Sequence, residues 1–228
     1  MIARELLGTA QVPGGEDLKL FRHDRDFMIV LGHNELMSTR RSGSEVALAE
    51  QAIVRLAGRK APHLLIGGYG MGFTLRAALA ALGPDARITV AEIVPEIVAW
   101  ARGPMAEVAA GCLDDPRVQL IMGDVGDVIA AGSTQYDAIL LDVDNGPDGL
   151  VREDNNRLYS KSGLRTSRAA LAPGGVLAIW SAAKDPAFTA RLRRGRFDVD
   201  EVGVRARAGG PDGKGKGPMH VIWFATPA

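Results

Sequence analysis

The stretch HLLIGGYGMGFTLRAAL, residues 63–79, decides the fold class of this chain. Its apolar run HLLI ends in a glycine-rich turn that leads directly into a helical pattern. Where a buried parallel strand turns into a helix, backbone N–H groups and the positive end of the helix converge on one point. The stretch therefore predicts an α/β fold with a ligand site at this turn.

The spacing of the glycines indicates the kind of ligand. Gly68, Gly70 and Gly72 form the pattern G-x-G-x-G. A dinucleotide fingerprint that began at Gly68 would need a glycine where this chain has Phe73,. The turn therefore favours a nucleoside without a pyrophosphate, and a purely structural glycine turn is the alternative. Tyr69, inside the turn, is a candidate to stack on the ligand or shield it.

Strands and helices alternate after the glycine turn. The apolar runs predict parallel strands at 63–68, 87–93, 117–122, 136–142 and 175–181, and helices near 73–83, 95–110, 124–131, 162–172 and 185–194,. Two further strands, RFDVDEVGVRAR and MHVIWFAT, are joined by a glycine-rich loop at 208–218 that we expect to be mobile,. Five βα units closed by a hairpin predict one doubly wound, mostly parallel sheet.

The N-terminal part of the chain has a different pattern. Short strands are predicted at 18–23, 27–32 and 35–39, separated by turn-type clusters,. We therefore expect a small β-hairpin region over residues 1–41, followed by one domain over 42–228. Ser42 and Glu45 have the spacing of a capping box for the helix that follows,.

Two acidic residues follow neighbouring strands of the predicted sheet. Glu92 ends the second parallel strand, where an acid can accept both hydroxyl protons of a ribose,. Asp124 follows the third strand and can accept from the amino group of an adenine, or cap the next helix,. Because carboxyl ends of parallel strands meet at one edge, we expect these acids, with Ile93 and Gly123 beside them, to share the ligand site of the glycine turn.

Composition limits the classes of partner. Lys plus Arg (27) balance Asp plus Glu (27), so the chain lacks the broad charge that nucleic acid or an anionic membrane would attract,. A small-molecule acceptor is favoured. Cys112 is the only cysteine, and neither a signal peptide nor an apolar run of about 20 residues is found, so a cytoplasmic enzyme is expected,. The four histidines are scattered, so no metal site is predicted,.

Five motifs occur in an order that resembles a known family: the glycine turn, VAEIVPEIVAWAR (90–102), DPRVQLIMGD (115–124), YDAILLD (136–142) and LYSKSGLRTSRAALAPGGVLAIW (158–180). Together they resemble the spermidine synthase (polyamine aminopropyltransferase) family, within the class I S-adenosylmethionine-dependent methyltransferase fold. The resemblance implies a Rossmann-like seven-stranded sheet and often a homodimer. It also implies cofactor contacts at Gly68, Gly70, Glu92, Asp124 and Asp142.

The chain departs from that family at positions that hold the donor and at positions that hold the polyamine. Met71 stands nearest to the place where the family carries an aspartate that grips the amine of decarboxylated S-adenosylmethionine. The loop after the fourth parallel strand begins Asp142-Val143-Asp144-Asn145, where the family usually has D-S-S-D. A polycation needs several carboxylates to pair with its ammonium groups, and here they are fewer.

These residues lead to three hypotheses. The first is an S-adenosylmethionine-dependent methyltransferase that acts on a small molecule, and the second is an aminopropyltransferase that uses decarboxylated S-adenosylmethionine. The third is a nucleoside-binding module without catalysis. In an alkyl transfer, Asp142 is the first candidate to orient the nucleophile or take its proton, and Asp144 is the second,. Asn145 and Tyr159 are predicted to contact the acceptor.

Overall fold

The computed structural model describes residues 4–56, 58–143, 156–207 and 215–228. In these ranges the strands are β1 Glu5–Ala10, β2 Leu18–His23, β3 Asp26–Leu31, β4 Asn34–Ser38, β5 His63–Gly67, β6 Arg87–Glu92, β7 Val118–Met122, β8 Tyr136–Leu141, β9 Leu171–Ser181, β10 Phe197–Arg207 and β11 Lys216–Pro227. The helices are α1 Gly43–Arg55, α2 Phe73–Ala81, α3 Pro95–Arg102, α4 Ala106–Ala109, α5 Val125–Ala131, α6 Asn156–Tyr159, α7 Lys161–Ala170 and α8 Pro186–Arg194.

Seven strands form the main sheet in the order β10-β11-β9-β8-β5-β6-β7. The five strands from β5 to β9 are parallel, and β11 runs antiparallel to both β9 and β10. The predicted doubly wound sheet closed by a hairpin is therefore confirmed. Because β5 pairs with both β6 and β8, the strand order reverses there, and a crevice opens beyond the carboxyl ends of these strands,.

The parallel strands form because their side chains are buried on both faces. Every residue of β5 is buried, and alternate residues face opposite sides of the sheet,. Leu64 and Ile66 belong to one hydrophobic cluster, and Leu65 belongs to a second cluster across the sheet. Helices cover both faces, so the sheet forms the rigid base of the crevice.

The N-terminal strands form a separate antiparallel sheet in the order β1-β2-β3-β4. The sequence predicted three of its strands and missed β1, which is half exposed and loses its register at Gly8. Leu20 and Ile29 share the hydrophobic cluster of Leu64, so this small sheet packs against the main domain.

Two helix predictions need correction. The helix expected at 95–110 ends at Arg102, because Gly103 leaves the helical conformation and Pro104 has no backbone N–H to donate; α4 then begins at Ala106,. The capping box at the start of α1 does not form, since Ser42 makes no side-chain cap. Most of the loop predicted at 208–218 lies outside the described residues. Within the ranges that are described, no helix has the length and hydrophobicity needed to cross a bilayer.

Candidate functional site

A cavity of about 380 Å³ lies beyond the carboxyl ends of β5, β6, β7 and β8. It is lined by seven residues that the sequence predicted for the site: Gly68, Gly70, Glu92, Ile93, Gly123, Asp124 and Asp142. Leu18, Ile29 and Met37 of the N-terminal sheet line its other side. The parallel sheet thus brings the predicted residues to one place, and the N-terminal sheet encloses them.

Glu92 anchors the glycine turn. Its Oε2 accepts a hydrogen bond from the backbone N–H of Tyr69 at 2.9 Å, and its Oε1 accepts one from the N–H of Val94 at 2.9 Å. Burial raises the pKa of Glu92, and these backbone hydrogen bonds act in the opposite direction,. One carboxylate therefore joins the turn after β5 to the end of β6.

The side chain of Tyr69 does not line the cavity. It is 4% exposed, and its hydroxyl oxygen lies 3.4 Å from Cys112 Sγ in the core. Burial raises the pKa of Tyr69,. Gly72 lies outside the cavity lining as well. It is the N-cap of α2 with a φ of 78°, and the Tyr69 ring occupies the space where a Cβ of Gly72 would stand. The position of the ring therefore does not match the predicted stacking on a ligand.

Tyr159 is also buried away from the cavity. It is 1% exposed and meets Phe188 edge-on, with ring centroids 5.7 Å apart, in the second hydrophobic cluster. Its predicted contact with an acceptor does not match this position. Asp144 and Asn145 lie outside the described residues, so their roles stay predictions.

Asp124 both caps the helix that follows it and lines the cavity, the two positions between which the sequence did not decide. Its Oδ1 accepts a hydrogen bond from the N–H of Gly126 at 2.7 Å, which caps α5. The same oxygen lies 2.8 Å from the guanidinium of Arg157. Asp124 also lines the cavity. A helix cap holds this carboxylate in a fixed position beside the ligand space.

Asp142 and Glu45 bring two carboxyl groups to the same cavity. Thr74 Oγ1 donates to Asp142 Oδ2 at 2.9 Å, and Ser44 Oγ donates to Glu45 Oε2 at 2.6 Å. Burial raises the pKa of Asp142 to about 6. Burial, followed by the charge of Asp142, raises the pKa of Glu45 to about 7. Both groups therefore change their protonation state closer to neutral pH than ordinary carboxyls do.

Glu45 was not predicted as a site residue, because its spacing from Ser42 suggested a capping box. A signal for its true position was present, however. The buried apolar residues of α1 are Leu48, Ala49 and Ala52, and Glu45 precedes them at helical spacing on the same face,. A carboxylate on the apolar face of a helix indicates either a buried polar contact or a site.

His220 and Trp180 extend the cavity wall beside Glu45. His220 Nδ1 lies 2.9 Å from Ser44 Oγ, and the rings of His220 and Trp180 meet edge-on with centroids 4.8 Å apart. Trp180 Nε1 is buried without a hydrogen-bond partner. Neither residue was assigned to the site from the sequence, because β9 and the C-terminal β11 meet only in the folded sheet.

The cavity is acidic. Its lining includes five carboxylate residues, Glu35, Glu45, Glu92, Asp124 and Asp142. Arg41 is the one Lys or Arg among the described lining residues, and its guanidinium lies 3.7 Å from the carboxylate of Glu35. The arrangement suits a cationic ligand. In the described part of the chain, no three His, Cys, Asp or Glu side chains are grouped so as to bind a metal ion.

Comparison with protein families and curated proteins supports one group. Residues 50–192 match the family described as the spermine/spermidine synthase domain. A polyamine aminopropyltransferase of Sulfolobus acidocaldarius is 30% identical over 127 residues, which are 56% of this chain and 40% of that protein. A polyamine aminopropyltransferase of Mycobacterium tuberculosis is 27% identical over 167 residues, 72% of this chain and 30% of that protein. The matched stretches thus span less than half of these relatives.

Solved structures confirm the fold. A spermidine synthase from Thermotoga maritima superposes with a TM-score of 0.73 at 17% identity, over 98% of this chain and 73% of that one. A spermidine synthase in complex with the transition state analogue AdoDATO gives a TM-score of 0.73 at 18% identity, over 98% and 72% of the two chains. The predicted Rossmann-like methyltransferase fold is therefore confirmed.

Proposed function

We propose that this chain, which belongs to the spermine/spermidine synthase family, transfers an aminopropyl group from decarboxylated S-adenosylmethionine to an amine. The observation that carries the proposal is the acidic cavity at the carboxyl ends of the parallel strands. S-adenosylmethionine has a carboxylate in its tail, and the decarboxylated compound lacks it. Carboxylates dominate the described lining of the cavity, and the one arginine among those residues is paired with Glu35, which favours the donor without that negative charge,.

The residues around the cavity fit this donor. Gly68 and Gly70 line the cavity and let the backbone approach an adenosyl group closely,. In this proposal Glu92 accepts hydrogen bonds from ribose hydroxyls, and Asp124 accepts one from the adenine amino group. The presence of both side chains in the cavity lining, at the ends of β6 and β7, supports these assignments. They agree with the order in which the family motifs occur along the chain.

For this reaction the protein must align the donor with the amine and keep the attacking nitrogen unprotonated. The amine nitrogen forms a bond to the aminopropyl carbon, the carbon–sulfur bond breaks, and the sulfur leaves with its electron pair as the neutral thioether methylthioadenosine. The nitrogen must lose a proton, and Asp142 is the candidate to accept it. A pKa raised to about 6 leaves the Asp142 carboxylate ionised at neutral pH and more basic than an ordinary aspartate.

Methyl transfer from S-adenosylmethionine, the first hypothesis from the sequence, is less well supported. The relatives named above are polyamine aminopropyltransferases, and the acidic lining disfavours the carboxylate of that donor. The altered loop after β8, in which Val143 lines the cavity, favours an acceptor different from the usual polyamine substrate. Met71, at the position where the family grips the amine of the donor, is buried in the hydrophobic core, so the proposal requires other groups to hold that amine.

The test is a product assay with each donor and a panel of aliphatic mono-, di- and triamines. We expect methylthioadenosine to form only with decarboxylated S-adenosylmethionine and an amine. Asp142→Asn is expected to lower kcat by about 10²- to 10⁴-fold, the usual contribution of a general base. S-adenosylhomocysteine as the sole product would show methyl transfer instead. Tight nucleoside binding without any product would support the non-catalytic alternative.

A further inference from the structure

The indole of Trp180 forms part of the cavity wall at the carboxyl end of β9. Side chains alternate along this strand, so Trp180 shares a face with Val176 and Ala178, and all three belong to the hydrophobic cluster of Leu64,. The residue is 8% exposed. His220, which also lines the cavity, meets the indole edge-on from β11, with ring centroids 4.8 Å apart. Packing therefore fixes the ring in the wall.

The N–H of this indole is a hydrogen-bond donor without a partner. Trp180 Nε1 is buried, and no described residue accepts a hydrogen bond from it. Trp223, which is buried in the second hydrophobic cluster, shows the usual arrangement, because its Nε1 donates to Thr189 Oγ1 at 2.8 Å. Buried donors are nearly always paired. An unpaired donor on a residue that lines a cavity therefore indicates that a ligand atom is its partner.

The nucleoside does not supply this partner. In the proposed function its sugar and base bind at the ends of β6 and β7, whereas β9 lies on the other side of β5, beyond β8. Three strand spacings separate β9 from β6, about 14 Å. The aminopropyl chain of the donor ends in an ammonium group, which has no lone pair to offer an N–H. The group that meets Trp180 therefore belongs to the second substrate.

The chemistry of the indole limits what this group can be. An indole N–H only donates, so its partner must accept, which excludes an ammonium group and a hydrocarbon. A hydroxyl or carbonyl oxygen can accept. A carboxylate can accept as well, but the five carboxylate residues of the lining repel a further negative charge,. An uncharged oxygen is therefore the group that fits this place in the wall.

His220 offers a complementary group beside the indole. Ser44 donates its proton to Glu45, so His220 Nδ1, 2.9 Å from Ser44 Oγ, donates to that hydroxyl,. Burial lowers the pKa of His220, and the charge of Arg41 acts in the same direction. The ring is therefore neutral at pH 7, and its Nε2 carries a lone pair. A hydroxyl, which can accept and donate at once, suits this pair of rings best.

We infer that the acceptor amine carries an uncharged oxygen, such as a hydroxyl, and that Trp180 recognises this oxygen by donating its indole N–H. Trp180 is thus a specificity-determining residue that favours an amino alcohol over a diamine or an alkylamine. The inference rests on the proposed function, which supplies an amine as second substrate. It names the chemical class of the altered acceptor that Val143, on the same cavity, also indicates.

The experiment is isothermal titration of four amines into protein saturated with methylthioadenosine. All four have an amine at one end of a butyl chain and differ at the other end: 4-amino-1-butanol, pentylamine, 1,4-diaminobutane and 4-aminobutanoate. We expect 4-amino-1-butanol to bind about tenfold or more tightly than pentylamine, whose methyl group would leave the indole N–H unpaired. It should also bind more tightly than the diamine and the amino acid.

Trp180→Phe keeps an aromatic ring and removes the N–H. The ratio of affinities for 4-amino-1-butanol and pentylamine should therefore fall to about one in this variant. Trp223→Phe is the matched control, since it makes the same change at a tryptophan whose N–H is already paired and which does not line the cavity. It should keep the ratio of the wild type. Unchanged affinity for methylthioadenosine shows that each variant is folded.

A second measurement needs no change at Trp180. The chain has three tryptophans, so the Trp180 indole resonance in an NMR spectrum can be assigned by elimination with Trp100→Phe and Trp223→Phe. We expect 4-amino-1-butanol, but not pentylamine, to move the N–H proton of Trp180 downfield.

The inference is overturned by equal affinities for the amino alcohol and pentylamine, by a wild type that prefers the diamine or 4-aminobutanoate, or by a ratio that Trp180→Phe leaves unchanged. Aminopropyl transfer to 1,4-diaminobutane alone would support the proposed function and refute the inference. Binding of 4-amino-1-butanol that depends on Trp180, without any aminopropyl transfer, would support the inference and refute the proposed function.

Discussion

Glu92 holds the backbone of Tyr69 in place: its Oε2 accepts a 2.9 Å hydrogen bond from the Tyr69 N–H. The other carboxylate oxygen accepts a hydrogen bond from the Val94 N–H, so both oxygens of Glu92 are hydrogen-bonded to the backbone without a ligand. The residue proposed to bind the ribose therefore also shapes the turn that approaches it. A change at Glu92 should affect stability and nucleoside binding together.

Glu92→Gln tests this double role. The amide keeps one acceptor oxygen and replaces the other with an NH₂ donor, so one buried backbone N–H at Tyr69 or Val94 loses its partner. We expect the free energy of unfolding to fall by about 1–3 kcal/mol, and methylthioadenosine affinity to fall by about tenfold or more. Urea denaturation and calorimetry measure the two effects, with Glu50→Gln as the control. Weaker binding with unchanged stability would contradict the anchoring role.

Gly68 should tolerate no side chain. Its φ is +83°, and a Cβ there would lie 2.6 Å from the carbonyl oxygen of Asp142. We expect Gly68→Ala to destabilise the protein by about 1–3 kcal/mol, through backbone strain and displacement of Asp142. Gly123→Ala is the matched control on the same cavity, because a Cβ there meets no atom within 4 Å. Thermal denaturation measures the melting temperatures of the two variants. Equal melting temperatures would refute the prediction.

The fold was predictable because its main signals are local. The apolar run at 63–67, the glycine turn and the helix after it are contiguous, and the same unit recurs along the chain. β1 was missed because ELLGTA at 5–10 has no regular alternation, and its pairing with β2 depends on contacts outside the segment. The break after Arg102 was predictable in principle from Gly103 and Pro104, but the helical periodicity of the segment concealed it.

The site was predictable only where its residues follow strands. Glu92, Asp124 and Asp142 end neighbouring strands, so parallel topology alone brings them together. Glu45 reaches the cavity that Asp142 also lines through the packing of α1, which no local pattern specifies. The direction of the Tyr69 ring depends likewise on the space beside Gly72. The homodimer and the cytoplasmic location stay predictions from the sequence.

Asp124 should select adenine. A carboxylate accepts from the adenine amino group, but it repels the carbonyl oxygen that hypoxanthine has at the same place. We expect methylthioinosine to bind about tenfold or more weakly than methylthioadenosine, because the carboxylate would then face an acceptor oxygen where adenine offers a donor. Asp124→Asn should narrow this difference, since an amide can also donate. Asparagine caps helices as well as aspartate does, so stability should change by less than about 1 kcal/mol. An unchanged preference in Asp124→Asn would contradict the assignment.

The last prediction concerns pH. Burial and the neighbouring charge of Asp142 raise the pKa of Glu45 to about 7, and burial raises that of Asp142 to about 6. In the unfolded chain both carboxyls have pKa values near 4, so between about pH 4 and 7 the folded protein binds more protons. The contribution of these groups to stability is complete below that window and is lost as the pH rises through it.

Other titratable and charged groups near Glu45 and Asp142 also contribute to the pH dependence of the free energy of unfolding. Burial lowers the pKa of His220, which makes its contribution to stability rise with pH, and Arg41 and Glu35 form an ion pair on the same wall,. The comparison of wild type with Glu45→Gln largely cancels the contributions of His220, Arg41 and Glu35, and leaves the titration of Glu45 together with its coupling to Asp142,. We therefore expect the free energy of unfolding of the ligand-free wild type, relative to Glu45→Gln, to fall by about 1–2 kcal/mol from pH 5 to pH 8, after allowance for solvent screening. Urea denaturation at several pH values measures this difference. Parallel curves for the two proteins would contradict the prediction, because they would mean that Glu45 titrates as an ordinary exposed carboxyl.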